Sequence, residues 1–136
     1  MQISPQMKLN GMVRIIGTVW ILLSIIGCKT NEQRYMESFL AMDEDILEVL
    51  VTHAPDADKA VQGLKELGAV VQKDRDKLKE KLRTTLDELS ESERQAFLDE
   101  AQKRHAEMGT RFEAAVKRYP KERQPEIRRT IAPITR

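Results

Sequence analysis

Apolar side chains recur at helical spacing through residues 31–119, and this periodicity strongly restricts the fold. The pattern is most regular in residues 57–89, where two sets of positions repeat every seven residues. One set is Ala57, Leu64, Val71, Leu78 and Thr85, and the other is Val61, Gly68, Arg75, Leu82 and Leu89. A seven-residue repeat is typical of helices that pack as in a coiled coil. Because strand-like alternation is absent here, the sequence predicts an all-α fold.

Prolines and acidic residues indicate where the first two helices begin and end. The first is predicted from Asn31 to His53 and ends before Pro55. The second is predicted to begin with Pro55 in its first turn, with Asp56 and Asp58 close to the positive end of the helix dipole. The broad apolar face of the first helix consists of Met36, Phe39, Leu40, Ile46, Leu47, Val49 and Leu50.

The third helix is predicted from a capping box, Ser90-x-x-Glu93, to the residue before Pro120. Its apolar stripe consists of Phe97, Leu98, Ala101, His105, Met108, Phe112, Ala115 and Tyr119. Four acidic residues of this helix each precede a basic residue by four positions, a spacing that predicts ion pairs on its outer face. These pairs are Asp99–Lys103, Glu100–Arg104, Glu107–Arg111 and Glu113–Lys117.

Short connections between these helices predict an antiparallel three-helix bundle or a bent long helical hairpin. Residues 35–119 would form this bundle, and residues 120–136 a basic tail with two prolines and a short helix from Pro125 to Ile131. The second helix would be about 52 Å long and the first about 35 Å. We therefore expect either that residues 29–34 are a spacer or that the second helix breaks near Gly63 and Gly68.

Residues 14–28 begin with the positive charge of Arg14, continue as a short apolar stretch and end with Cys28, the only cysteine in the sequence. Its last four residues, Ile25-Ile26-Gly27-Cys28, resemble the lipobox of bacterial lipoproteins. The resemblance implies that residues 1–27 are a signal peptide cleaved between Gly27 and Cys28. It also implies that Cys28 is acylated, as the first residue of the mature chain, and that residues 28–34 form a tether. The alternative is an uncleaved signal anchor from Met12 to Cys28.

The residue after the cysteine, Lys29, resembles the sorting signal of outer-membrane lipoproteins. We therefore expect a lipid-anchored protein of the bacterial cell envelope, on the periplasmic face of the outer membrane rather than on the inner membrane. Residues 1–27 contain two of the 23 basic side chains and none of the 22 acidic ones, so the mature chain has 21 basic against 22 acidic. With no second cysteine, it has no disulfide of its own.

Basic side chains concentrate towards the end of the sequence, where they are candidates for contact with an anionic partner. The candidates are Lys117, Arg118, Lys121, Arg123, Arg128 and Arg129. Such a partner would be cell wall polymer, lipid head groups or an acidic protein surface. Nucleic acid is not expected, because the segment lacks interleaved aromatic residues on which bases stack.

Catalytic and metal-binding patterns are not evident in the sequence. His53 lies near a helix end and His105 in the apolar stripe, and neither has a second ligand at metal-site spacing. Asp43-Glu44-Asp45 and Asp56-x-Asp58 lack the features of a calcium loop, so we expect helix-start and surface roles for them. We predict a protein that is not an enzyme, with no metal, no cofactor apart from the covalent lipid, and no small-molecule substrate.

Two functions are compatible with an anchored helical bundle. The first is a non-enzymatic adaptor, assembly or structural factor that binds another envelope protein. The second is a periplasmic chaperone or stress sensor that binds unfolded clients. The segment Leu89-Ser90-Glu91-Ser92-Glu93-Arg94 resembles the Leu-Thr-x-x-Gln-Arg motif of helical periplasmic stress chaperones, with Ser for Thr and Glu for Gln.

Overall fold

A computed structural model describes residues 29–136, and every regular element in this range is helical. The elements are α1 (Asn31–His53), α2 (Ala57–Asp87), α3 (Glu91–Val116), a 3-10 turn (Lys121–Arg123) and α4 (Gln124–Thr135). The predicted all-α class is therefore confirmed. The predicted signal peptide, its cleavage site at Gly27–Cys28 and the lipidated Cys28 lie outside the described residues. None of the helices in the described range is long and apolar enough to span a membrane.

Four helices build the bundle of residues 31–136, one more than the three long helices predicted. α1 packs mainly against α2 and also against α3, and α4 packs against both α2 and α3. The largest fully buried side chains come from all four helices. They are Ile46, Leu50, Leu64, Val116 and Ile127.

The segment predicted as a basic tail, residues 120–136, is part of this core. Ile127, Ile131 and Ile134 are buried, because their spacing places them on one face of α4. Pro125 lies in the first turn of α4, where a missing backbone N–H is tolerated. α4 therefore extends beyond the short helix predicted for residues 125–131.

α2 is continuous over 31 residues, so the expected break near Gly63 and Gly68 is wrong. Both glycines instead allow close helix packing. A Cβ added to Gly63 would lie 3.0 Å from Cγ1 of Val49 in α1, and one added to Gly68 would lie 3.0 Å from Cγ1 of Ile134 in α4. α1 has the predicted bounds, Asn31 to His53, and the alternative of a spacer over residues 29–34 stays a prediction.

Capping groups define the starts of α2 and α3. α2 begins after Asp56, whose carboxylate accepts a hydrogen bond from the backbone N–H of Lys59 at 3.2 Å. Pro55 therefore precedes the cap and is not in the first turn as predicted. At α3 the predicted capping box is confirmed. Ser90 Oγ accepts from the N–H of Glu93 at 3.3 Å, and Glu93 Oε2 accepts from the N–H of Ser90 at 3.0 Å.

The seven-residue seam of α2 is buried only along its first part. All six seam positions from Ala57 to Arg75 are buried, whereas Leu78, Leu82, Thr85 and Leu89 are half-buried. The difference follows from the length of α4, which ends beside Arg75, where the guanidinium donates a hydrogen bond to the carbonyl of Thr135. Beyond this level the bundle consists of α1, α2 and α3.

Candidate functional site

A buried ion pair joins Asp43 of α1 to Arg75 of α2. Nη1 of Arg75 donates to Oδ1 of Asp43 at 2.9 Å, and the two side chains are only 8% and 7% exposed. Nη2 of Arg75 donates to the carbonyl of Thr135 at 3.2 Å. The guanidinium also lies 5.3 Å from the ring centroid of Phe39, within range of a cation–π interaction. One side chain of α2 therefore holds α1 and the end of α4.

Burial raises the pKa of Asp43 above its ordinary value of 3.8. Removing a carboxylate from water disfavours its charged form. The positive charge and hydrogen bond of Arg75 oppose this effect, and the nearby His105 opposes it further. Because desolvation is the largest contribution, the pKa of Asp43 remains above 3.8.

The surface role predicted for Asp43 is therefore wrong, whereas Glu44 and Asp45 are exposed as predicted. The sequence did contain a signal for Asp43. It lies four residues after Phe39 and three before Ile46, on the apolar face of α1. Arg75 likewise occupies a position of the α2 seam, so two oppositely charged residues lie on facing apolar stripes.

The two histidines occupy different environments. His53 is half-buried at the end of α1, where its ring approaches Gly63. His105 is exposed, so its predicted place within a packed apolar stripe is wrong. Within residues 29–136, no group of three or more His, Cys, Asp or Glu side chains is placed to hold a metal ion.

A cavity of about 200 Å³ lies between α1, α2 and α3, next to the buried ion pair. We call it the three-helix cavity. Its apolar wall is formed by Met36, Phe39, Leu40, Leu82, Phe97 and Ala101. Its polar wall is formed by Asp43, Arg75, Arg104 and His105.

The six basic residues predicted to contact an anionic partner fall into two groups. Arg123 and Arg128 form ion pairs within the fold. Arg123 contacts Asp58 at 2.6 Å and Glu126 at 2.9 Å, and Arg128 contacts both carboxylate oxygens of Glu113 at 3.0 Å. The other four have no ion-pair partner among the described residues and are exposed. They are Lys117, Arg118, Lys121 and Arg129.

Three of these unpaired cations flank Tyr119, whose position is fixed by a buried hydrogen bond. The hydroxyl of Tyr119 donates to the backbone carbonyl of Leu50 in the last turn of α1. That carbonyl is one of those a helix end leaves without a backbone donor. Burial raises the pKa of Tyr119, so its hydroxyl keeps the proton it donates. Tyr119 therefore contacts the C-terminal end of α1, and Lys117, Arg118 and Lys121 are within two residues of it in sequence.

The fourth unpaired cation, Arg129, lines a broader groove between α2 and α4 with a volume of about 570 Å³. Lys65 also lines it, and neither cation has an ion-pair partner among residues 29–136. The apolar lining includes Val61, Leu64, Gly68, Ala69, Pro133 and Ile134. Glu126 also lines the groove but is paired with Arg123, so the groove combines apolar surface with two unpaired positive charges.

Of the four ion pairs predicted along α3, only Glu100–Arg104 forms, at 2.9 Å. Arg111 instead pairs with Glu44 of α1, and Glu113 pairs with Arg128 of α4. Hydrogen bonds from these arginines lower the pKa values of Glu44, Glu100 and Glu113 below their ordinary value of 4.5. The prediction considered each helix alone, whereas the bundle offers partners on other helices. Of the other two acids, Asp99 accepts a hydrogen bond from Gln95 at 2.9 Å, and Glu107 forms no ion pair with Arg111.

Comparisons of the chain with protein-family models, with curated proteins and with solved structures find no match.

Proposed function

We propose that this protein is a lipid-anchored, non-enzymatic adaptor of the bacterial cell envelope. In this proposal the lipid on Cys28 attaches the chain to the periplasmic face of the outer membrane. The helical domain then binds another envelope protein through its unpaired basic surface. The lipobox resemblance of Ile25-Ile26-Gly27-Cys28 supports the anchor, and the geometry of the bundle supports the position of the binding surface.

The observation that carries the proposal is the location of the unpaired cations. Lys117, Arg118 and Lys121 are within two residues of Tyr119, whose hydroxyl contacts the carbonyl of Leu50 near the end of α1, whereas Cys28 precedes the start of α1 in sequence. From Asn31 to Leu50 the helix rises about 28 Å. A partner bound at this surface would contact the bundle at the end of α1 that is remote from the start of the helix.

An acidic protein surface is the partner chemistry that suits this region best. Exposed cations without local partners favour an anionic surface and speed its association. The groove between α2 and α4 adds apolar area, which a purely ionic polymer would not use. Arg129 lines that groove and belongs to the same unpaired set, so the two features suit one protein partner.

Crosslinked pulldown from native membranes tests the adaptor function. We expect one specific envelope protein to be captured by the full chain, and capture to weaken as salt is raised. Replacing Lys117, Arg118 and Lys121 with Glu should reduce capture at least about tenfold. The matched control replaces Lys73, Lys77 and Lys81, three exposed lysines of α2, with Glu, and should retain capture. Equal loss in both variants, or no specific partner, would contradict the proposal.

Mass spectrometry of the native protein tests the anchor separately. We expect a mature chain that begins at an acylated Cys28, and we expect Cys28→Ser to leave the signal peptide attached. A bare thiol with the leader still present would support the uncleaved signal anchor instead. Fractionation of the two membranes then tests the assignment to the outer membrane.

The chaperone alternative predicts a different binding profile. It requires suppression of aggregation for many unrelated unfolded clients at near-stoichiometric amounts. The capping box accounts for Ser90 and Glu93, the residues on which the motif resemblance partly depends. A profile of many clients would replace the adaptor proposal.

A further inference from the structure

The groove between α2 and α4 has an exposed cation on each wall. Lys65 lines it from α2, and Arg129 lines it from α4. Because both side chains are exposed, their charged ends are accessible to a molecule that enters the groove. Within residues 29–136 neither forms an ion pair, whereas Glu126 of the same lining is paired with Arg123 at 2.9 Å. The groove therefore offers two accessible positive charges, one from each helix.

The surface between these cations is mainly apolar, and this restricts the kind of peptide that can lie on it. Among the described residues, the lining has two uncharged polar side chains, Gln72 and Thr130. The hydroxyl of Thr130 already donates to the backbone carbonyl of Glu126 at 2.9 Å. An extended peptide would place backbone N–H and C=O groups against apolar surface, where unpaired polar groups are costly. A helix satisfies these groups internally, so it suits the groove better.

The length of the groove corresponds to a short helix. Its α2 wall runs from Val61 to Gln72, and its α4 wall runs from Glu126 to Ile134. At 1.5 Å per residue these walls are about 16 Å and about 12 Å long, which a helix of about two to three turns would cover. In a helix with apolar a and d positions, the e and g positions flank the apolar stripe on its two sides. Acidic side chains at e and g would thus face one cation each.

We propose that the groove between α2 and α4 binds an amphipathic helix of the partner protein, with its apolar stripe in the groove and acidic side chains on both flanks paired with Lys65 and Arg129. An amphipathic helix in an apolar groove is a recurring mode of peptide recognition. Charge complementarity on both walls fixes the rotation of the bound helix about its axis. The inference rests on the adaptor proposal for the presence of a protein partner and adds the element by which that partner binds.

A designed peptide tests the groove without the native partner. The probe is a stapled helical peptide of about 15 residues, with leucine at the a and d positions and glutamate at e and g. Fluorescence anisotropy of the labelled peptide measures its affinity for the full chain in lipid nanodiscs, and empty nanodiscs give the blank for binding to lipid. We expect saturable binding that weakens as salt is raised. Absence of saturable binding would overturn the proposal.

Two altered peptides separate the acidic flanks from the apolar stripe. One has lysine in place of glutamate at e and g, and the other has serine in place of leucine at a and d. Each should bind at least about tenfold more weakly than the probe, since each lacks one of the two features that the groove complements. Equal binding of either peptide would contradict the assigned chemistry. Laurate, an apolar chain with one carboxylate, should not displace the probe at equal concentration, and displacement would assign the groove to a fatty acid instead.

A matched pair of double variants places the probe in the groove. Lys65→Glu with Arg129→Glu reverses both charges of the groove and should weaken probe binding at least about tenfold. Lys73→Glu with Lys103→Glu makes the same change of charge at exposed positions outside the groove and should retain binding. Circular dichroism verifies that each variant is folded. Equal loss in both pairs, or binding retained by the folded groove variant, would contradict the site.

A second matched pair tests the apolar part of the groove. Ala69→Glu places a carboxylate in the lining and should weaken probe binding at least about tenfold, because it repels the acidic flanks and loses hydration when covered. Ala114→Glu makes the same change at an exposed position of α3 outside the groove and should leave binding unchanged. Unchanged binding in Ala69→Glu would show that the probe lies elsewhere.

The peptide assay and the pulldown can fail independently. The pulldown depends on Lys117, Arg118 and Lys121, none of which lines the groove. Specific capture that those residues control, combined with no binding of the probe, would overturn the helix in the groove and leave the adaptor proposal standing. Saturable probe binding without a captured envelope protein would support the helix-binding groove and contradict the adaptor proposal.

Discussion

Loss of the Asp43 carboxylate is expected to destabilise the bundle severely. In Asp43→Leu the guanidinium of Arg75 keeps its place in the interior, where its side chain is 8% exposed, but loses its anion. Arginine does not release its proton in proteins, so the charge stays buried. Breaking a buried pair in this way costs about 3–5 kcal/mol. That is a large part of the about 5–15 kcal/mol typical of a whole domain.

Removing the other partner should cost less, because Asp43 can take up a proton. Arg75→Met leaves a buried carboxylate whose pKa burial already raises above 3.8. Arg75→Met removes the charge and the hydrogen bond that lower this pKa, so Asp43 takes up its proton at a higher pH in the variant than in the parent. The penalty of Arg75→Met therefore shrinks as pH falls from the variant's pKa towards the parent's. The lost hydrogen bond to Thr135, about 1 kcal/mol, remains at every pH.

The double variant Asp43→Leu with Arg75→Met completes the test. Replacing a buried ion pair with apolar side chains is often neutral or stabilising, so we expect its stability within about 2 kcal/mol of the parent. Chemical denaturation of the full chain, followed by far-ultraviolet circular dichroism, gives the three free-energy differences. A cost below about 1 kcal/mol for Asp43→Leu, or a double variant equal to the sum of the singles, would refute the reasoning.

Four further predictions concern stability and use the same denaturation measurement. Gly109→Ala should stabilise the protein by about 0.5–1 kcal/mol, since an added Cβ meets no atom within 4 Å. Gly68→Ala should be at least about 1 kcal/mol less favourable than Gly109→Ala because α4 lies against it, and equal effects would contradict the close packing. Tyr119→Phe should cost about 0.5–1.5 kcal/mol, as a buried carbonyl loses its donor, and no cost would refute that hydrogen bond. Hydrogen bonds from arginine lower the pKa values of Glu44 and Glu113, so their contribution is present above pH 4.5 and is lost as pH falls through the lower folded value. Replacing both with Gln should flatten the loss of stability below pH 4.5, and an unchanged pH profile would contradict the two ion pairs.

The helices with strong local signals were predictable from the sequence. Pro55 and the capping box at Ser90 marked element ends, and periodicity marked the faces that pack, whereas α3 ends at Val116 and not at the residue before Pro120. A short helix was predicted where α4 lies, but its packing in the core was missed because arginines and prolines dominate the composition of the segment. The spacing of Ile127, Ile131 and Ile134 was nevertheless present. Composition predicted a solvated tail, whereas the spacing of the isoleucines is typical of a helix with one apolar face. That face is buried, so the segment packs as a helix in the core.

The ion-pair partners and the cavity depend on which helices pack together, so they could not be predicted from the sequence of each helix alone. The partner of Arg75 lies 32 residues away on α1. The partner of Arg111 is Glu44 of α1, although Glu107 lies one turn away. The three-helix cavity arises because α4 ends at the level of Arg75 and leaves α1, α2 and α3 to pack without it. Each feature follows from tertiary packing, about which local periodicity carries little information.

The surface ion pairs that bridge different helices have a consequence for the uniqueness of the fold. Glu44–Arg111 bridges α1 and α3, Asp58–Arg123 bridges α2 and the 3-10 turn, and Glu113–Arg128 bridges α3 and α4. Each is worth little by itself at an exposed site. Sliding one helix by a turn, about 5.4 Å, would preserve much of the apolar contact but separate these charges. Apolar helix faces alone would be compatible with several packing registers, and the ion pairs of these arginines therefore favour one of them.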